Sequence, residues 1–215
     1  KASPVDGILA DLGVSSHQFD VAERGFSVRF EGALDLRMNQ RKGLTASNVV
    51  NEYSTRALRD IFYQYGELKN AGKISREIES YRSQTPINTT EQLKEALRTC
   101  TPRNLENKFF AKVFQALRIE VNDELEALKD FLDQTPEMLK PGGRLVVISY
   151  HSLEDRLVKN FMKSGNFVGD IKKDFYGNVE SPFEVITRKP QIPADDEISR
   201  NSRARSAKMR VAQKI

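Results

Sequence analysis

A single cysteine, Cys100, is all the thiol chemistry that these 215 residues possess. It excludes an intramolecular disulfide and any metal centre built on two thiolates, and it favours a reducing compartment, so the cytoplasm is the expected location. No hydrophobic run approaches the length of a membrane span, and no leader with the form of a signal peptide is present, so no membrane is expected as a partner. Internal repeats and low-complexity tracts are absent. Glycines never fall as Gly-x-Gly, the pattern in which a backbone loop wraps a nucleotide-like ligand. No His, Cys, Asp and Glu cluster has metal-ligand spacing, and no metal is expected.

What is present is a soluble composition, with a mean hydropathy of −0.54. The length suits one large domain, or one domain carrying an insertion. The net charge of +4 is unevenly placed. Residues from Arg188 to Ile215 hold eight Lys/Arg against three Asp/Glu, a net +5. There Arg203 and Arg205 alternate with Ser and Ala. Guanidinium forks with small neighbours suit phosphate oxygens, although a solvated basic terminus has the same composition.

Two apolar runs read as strands. Val5–Val14 ends in Asp11 and a loop of small and polar groups, Ser15, Ser16 and Gln18 among them. Arg144–Tyr150 follows the turn signal Pro141-Gly142-Gly143. Their unbroken apolar character predicts parallel strands covered on both faces. In such sheets ligands bind beyond the carboxyl ends of the strands, where Asp11 and the loop after it fall.

Between these runs the periodicity is helical. It predicts helices over Asn51–Gln64, Leu68–Arg82 and Thr89–Leu97, the last opened by the capping box Thr89-x-x-Gln92. A longer helix is predicted from the stripe Phe110, Val113, Phe114, Leu117, Val121, Leu125, Leu128 and Leu132, a core-packing face. Arg118 and Asn122 sit four apart on one helical face, off that stripe, and are candidates to face a cleft. After the second strand a helix is expected with Ser152 as its cap and Asp155 three positions on. Short strands at Phe183–Thr187 and Ala207–Ala212 would close an antiparallel sheet edge.

Five segments then line up. They are Asp11-Leu12-Gly13-Val14-Ser15-Ser16-His17-Gln18-Phe19-Asp20 with Glu23-Arg24-Gly25-Phe26-Ser27 behind it; Leu34-Asp35-Leu36-Arg37-Met38; Phe114 to Leu125; Pro141 to Arg156; and Asn201 to Ala207. Together they resemble the bacterial 16S ribosomal RNA cytosine-N4 methyltransferases, which use S-adenosylmethionine (SAM).

The resemblance implies an α/β fold, a Rossmann-like SAM-dependent methyltransferase sheet with an inserted helical domain. The expected division is residues 1–39 and 127–215 for the methyltransferase part and 40–126 for an RNA-recognising insertion. It also implies that Asp11 and Gln18 contact SAM. The family's glycine-rich loop and ribose-binding acid precede the Asp11 strand, so a fragment of a longer polypeptide is expected, with N-terminal strands missing. His17 stands where the family commonly has Pro.

Methylating the cytosine N4 amine requires orientation and a nearby acceptor rather than a strong base, and Asp11, Ser15 and Ser16 are the candidates for that role. A splayed base calls for an aromatic platform, for which Phe26 and Tyr150 are available. Arg37, Arg118, Asn122, His151, Arg203 and Arg205 complete the candidate substrate contacts. Asp35 is an alternative partner for Arg37, and His151 at a strand–helix junction is more often a structural hydrogen-bonder. The partner implied is the 16S rRNA of the 30S subunit, with a homodimer left open. The rival readings are a catalytically silent RNA-binding or assembly module, and methylation of DNA or a small amine.

Overall fold

The computed structural model describes residues 4–41, 43–177 and 179–215, so the first three residues of the expected 1–39 segment lie outside it. The chain forms two compact units. One takes the residues up to Gly13 together with Leu125–Ile215, and the other is Val14–Glu124.

The first unit is built on a four-stranded sheet in the order β1-β2-β4-β3, with β1 Val5–Asp11, β2 Leu139–Ser149, β3 Phe183–Val185 and β4 Lys208–Lys214. β1 runs parallel to β2, with Asp11 opposite Ile148. The register shifts between Val5 and Gly7, across from Pro141-Gly142-Gly143. The Pro-Gly-Gly segment is therefore a bulge inside β2 rather than the turn before it. β4 is antiparallel to both β2 and β3, so the two C-terminal strands close one edge of the sheet as an antiparallel pair, with β3 outermost.

Burial differs between the two leading strands. Along β2, Leu145 and Val147 are buried while Val146 and Ile148 are half-buried. In β1, an edge strand of this sheet, Leu9 is 68% exposed. The buried face packs against α7 (Glu124–Met138) through Leu128 and Leu132, and against α8 (Ser152–Ser164) through Val158, Phe161 and Met162. Pro136 inside α7 has no N–H for the carbonyl of Leu132. The hydroxyl of buried Thr135 donates to that carbonyl instead, at 2.7 Å.

The second unit is helical: α1 Ser16–Asp20, α2 Ala46–Glu52, α3 Thr55–Gln64, α4 Ala71–Arg82, α5 Thr90–Ala96 and α6 Glu106–Asn122. The Thr89–Gln92 capping box forms as expected. The helix expected over Asn51–Gln64 is two helices, because Ser54 caps a new one by accepting from the N–H of Ala57. The single long helix expected through Leu132 is also two. Asp123 takes a left-handed conformation (φ 54°) between α6 and α7, and the stripe divides between two cores: Phe110, Val113, Phe114, Leu117 and Val121 in one, Leu128 and Leu132 in the other.

The division between units also falls elsewhere than expected. Residues 14–39 join the helical unit. Leu34 and Ser47 exchange backbone bonds with Asn88 and with each other's segment (Leu34 N to Asn88 O, Ser47 N to Leu34 O), Thr90 N donates to Gly32 O, and Phe26, Leu34 and Leu36 are buried in the helical core. Periodicity cannot see that link, because an irregular segment tied down by long-range backbone bonds carries no repeating pattern.

Candidate functional site

At the carboxyl end of β1, Asp11 extends an exposed carboxylate, and Tyr150, just past the end of β2, donates its hydroxyl to Asp11 Oδ1 at 2.9 Å. The parallel register brings the two strand ends side by side. Burial of the phenol, together with its bond to Asp11 and the nearby charges of Asp11, Glu154 and Glu197, pushes its pKa up to about 12. Tyr150 is therefore a proton donor at neutral pH. It fixes one oxygen of a carboxylate that can accept from up to four directions, and leaves the rest of those positions toward the edge of the sheet.

Tyr150 is itself held. Its backbone N–H donates to Glu154 Oε2 at 2.9 Å, and the N–H of His151 reaches the same oxygen at 3.3 Å. His151, not Ser152, caps α8: its Nδ1 accepts from the N–H of Glu154, closing a capping box on a buried glutamate. His151 Nε2 lies 3.2 Å from Glu154 Oε1, outside hydrogen-bond geometry. The imidazole thus does structural work at the junction.

Asp155 is one position too late to join the box. It pairs instead with Arg210 of β4, whose Nε and Nη2 donate at 2.6 and 3.2 Å, and Lys208 Nζ lies 3.6 Å away. Burial alone would raise the Asp155 pKa, but the bonds and charge of Arg210, with Lys208, hold it below the usual carboxylate range. Arg203 and Arg205 are exposed on a short 3-10 turn, Ser202–Ser206, anchored by buried Ala204 just before β4.

In the helical unit, Ser15 caps α1. Its Oγ accepts from the N–H of Gln18, while Gln18 Oε1 accepts from the N–H of Ser15 at 2.9 Å. The box uses the oxygens of both side chains and leaves the Gln18 amide nitrogen as a donor. Ser16 and His17 are exposed on the same short helix.

The platform role expected of Phe26 is not available to it. The ring is 4% exposed, belongs to the helical core, and lies under the Arg24 guanidinium at 5.7 Å. Arg37 pairs with Asp35, Nε to Oδ1 at 2.8 Å and Nη2 to Oδ2 at 2.7 Å, and its Nη1 donates to the carbonyl of Gln40. Burial opposes ionisation of Asp35, yet the bonds from Arg37 hold its carboxyl below the usual range.

Between these two partners Leu36 sits buried at φ 63°, a left-handed conformation that costs a branched residue about 1–2 kcal/mol. The segment is clamped against that strain. Arg24 Nη2 donates to the carbonyls of Arg37 and Met38 at 2.7 and 3.1 Å, and Leu36 N donates to Arg24 O. Asn122 accepts from Met38 N at 2.6 Å and donates to Leu36 O at 2.8 Å. Arg118 forms a two-pronged pair with Glu124 at 2.8 and 2.9 Å across the break after α6. The two polar residues expected to face a cleft are thus committed within their own unit.

The structure therefore joins Asp11 to Tyr150 and Ser15 to Gln18, buries Phe26, and gives Arg37, Arg118, Asn122 and His151 internal partners. Sequence reasoning missed Arg24 as the clamp and Glu154 as the anchor of Tyr150. The spacing His151-x-x-Glu154 carried a signal for the second, since it has the form of a capping box with histidine in place of serine or threonine.

No helix among the described residues is long and apolar enough to cross a membrane. The MraW methylase family matches residues 1–215. A curated relative from Parabacteroides distasonis, named ribosomal RNA small subunit methyltransferase H, is 55% identical over 215 residues, covering all of this chain and 70% of the relative. Relatives of the same name from Flavobacterium johnsoniae and Bacteroides fragilis are 58% and 57% identical, each over 98% of this chain and over 70% and 69% of their own lengths. A match that runs the length of the chain, on a mixed α/β fold with a carboxylate at the sheet's carboxyl edge, places the protein: it belongs to the MraW methylase family.

Proposed function

We propose that the chain contributes to methyl transfer from SAM onto the N4 amine of a cytosine in small-subunit ribosomal RNA. The names of its relatives support the RNA substrate, and the observation that carries the site is the Asp11–Tyr150 pair. SAM when bound supplies a methyl group on a positively charged sulfur. The residues present fit part of that cofactor. Asp11 offers an exposed acceptor in the position such folds use; Gln18, within the helical unit, keeps its amide nitrogen as a donor, and its contact with SAM rests on the family resemblance alone. No pair of glycines spaced Gly-x-Gly occurs in the chain to wrap the methionine end.

Asp11 acts as hydrogen-bond acceptor, toward the cofactor or toward the target amine as positive charge develops there, and Tyr150 holds the carboxylate in one orientation. Ser16 is an exposed hydroxyl at the start of α1, while Ser15 works through the cap it makes. Arg203 and Arg205 reach phosphates. The match to a methylase family over the whole chain gives the purely RNA-binding reading no support.

Calorimetric titration with SAM, on the full natural polypeptide, tests the site. Asp11→Ala is expected to lose affinity, and unchanged affinity together with an unchanged rate removes Asp11 from it. Methyl transfer to 30S subunits, but not to naked RNA or DNA, establishes the substrate class.

A further inference from the structure

Two of the most solvent-exposed side chains in the first unit are aromatic neighbours. Phe175 is 97% and Tyr176 87% exposed, more than any other exposed large apolar residue among those described, and their rings meet edge to face at 5.8 Å. They are not on a frayed end. They occupy the two central positions of a tight turn, Asp174–Gly177, closed by a bond from Gly177 N to Asp174 O at 3.1 Å. The Asp174 carboxylate also accepts from Tyr176 N at 2.9 Å. Gly177 takes φ 88°, which a residue with a side chain would resist.

Behind the turn the two arms pair. Lys173 bridges Val179, and Glu180 N donates to Lys172 O at 2.9 Å. The base of this hairpin is fixed on both sides. Asn166 Oδ1 accepts from Gly169 N and Asp170 N, and its amide donates to Ser164 O and Asp170 O. Phe167 stacks on Phe161 at 5.2 Å, and Phe183 after the second arm is buried.

A protein gains nothing in stability from presenting two rings to water on a braced support; such display marks a contact site. The contact is small, since two side chains cover far less than the roughly 800 Å² per partner of a stable protein interface. The rings are flanked by two exposed lysines, Lys172 and Lys173, on the same arm. Aromatic faces beside ammonium groups are what a single-stranded nucleic acid uses, bases on the rings and phosphates on the amines. Insertion into a membrane would drag the Asp174 carboxylate, adjacent to Phe175, into the headgroup–acyl boundary, which is costly. Stacking at the tip leaves the bond from Tyr176 N to that carboxylate in place.

We propose that the turn Asp174–Gly177, with Lys172 and Lys173 before it, is an RNA contact, with Phe175 and Tyr176 stacking on unpaired bases and Lys172 and Lys173 meeting the adjoining phosphates. It rests on the reading of RNA as the substrate. It adds a contact that lies away from the Asp11 edge in sequence and that no family motif predicted.

The test uses the full natural polypeptide and a short single-stranded RNA carrying one 2-aminopurine, whose fluorescence is quenched by stacking. Phe175→Ala and Tyr176→Ala are each expected to weaken binding about five- to tenfold and to relieve quenching, and Tyr176→Phe to restore both. Lys172→Ala with Lys173→Ala is expected to lower the slope of log affinity against log salt by about 1 to 2. Because the tip is exposed, the thermal midpoint should not move.

Wild-type binding with full quenching in both alanine variants overturns the hairpin's role while leaving the RNA substrate standing. A wild type that binds no RNA and methylates no 30S subunit overturns the RNA reading and the hairpin proposal together. Loss of binding to vesicles of phosphatidylcholine and phosphatidylserine in the alanine variants, with RNA binding intact, makes the tip a membrane contact and overturns the proposal.

Discussion

Removing the Asp155 carboxylate tests how the first turn of α8 is fastened to the sheet. Arg210, opposite Val147 in the middle of β4, is only 7% exposed, and its guanidinium is neutralised by Asp155 with help for the latter from Lys208. Breaking a buried pair by deleting one partner costs about 3–5 kcal/mol, because the remaining charge stays buried. Asp155 keeps some access to water, so the lower end applies and Asp155→Ala should cost about 3 kcal/mol. For a protein of this size that is about 6–12 °C in thermal midpoint. Arg210→Met keeps the apolar stem and leaves a carboxylate that water and Lys208 can serve, at about 1–2 kcal/mol. The double variant should cost less than the sum, with a coupling of about 2 kcal/mol. Urea unfolding of the four proteins at pH 7 measures it. The pH dependence has a definite sign: a carboxyl with a folded pKa below its unfolded value stabilises above the unfolded value, near 4, and loses that contribution as pH falls through the folded one. The gap between wild type and Asp155→Ala should therefore be full at pH 6 and narrow below pH 4. Additive single variants, or a gap that persists undiminished in acid, would refute the reasoning.

Three further outcomes are expected. Gly32→Ala places a Cβ 2.0 Å from the Ala22 carbonyl oxygen, a backbone atom that cannot swing aside, and should cost about 3 kcal/mol in urea unfolding; an unchanged midpoint would mean the 22–32 loop yields. Arg24→Lys loses the fork that grips the carbonyls of Arg37 and Met38, and should cost about 2 kcal/mol and speed hydrogen exchange at the Met38 amide, whereas unchanged exchange would show that Asn122 alone holds the segment. The Tyr150 phenol should titrate at about 12 by NMR, falling toward 10 in Asp11→Asn while burial keeps it from arriving there; the stability it lends is present below pH 10 and lost as pH rises through 12, and an unshifted phenol in Asp11→Asn would dissolve the pair.

Elements with a local pattern were legible in the sequence. The strands β1 and β2 follow from unbroken apolar runs, the helix at Thr90 from its capping box, and the core stripe of α6 from side chains that repeat at 3.6 residues. What was illegible had no period. The break at Asp123 lies in an uninterrupted helical stripe, and only a left-handed residue and the Arg118–Glu124 pair reveal it. The membership of residues 14–39 depends on bonds to Asn88, Thr90 and Asn122, all more than fifty residues away. Leu36 in a left-handed conformation is against its own propensity, so a local reading could only have excluded it.

Candidate site residues divide along the same line. Strand-end position singled out Asp11 because the chain direction of a parallel sheet decides which end is open, and that direction can be read from the sequence of elements. Whether a polar side chain near that end is free to work depends instead on what lies across from it. Arg37, Arg118 and Asn122 have the residue types of substrate contacts, yet each has its donors taken by a carboxylate or a backbone carbonyl within its own unit. Tyr150 was a candidate platform and became a clamp on Asp11, since its hydroxyl needs an acceptor when the ring is partly buried and Asp11 is the acceptor the parallel register puts beside it. Phe175 and Tyr176 are the converse case: an apolar pair without helical or strand periodicity attracts no notice in a sequence, and only their exposure on a braced turn turns them into a question about what covers them.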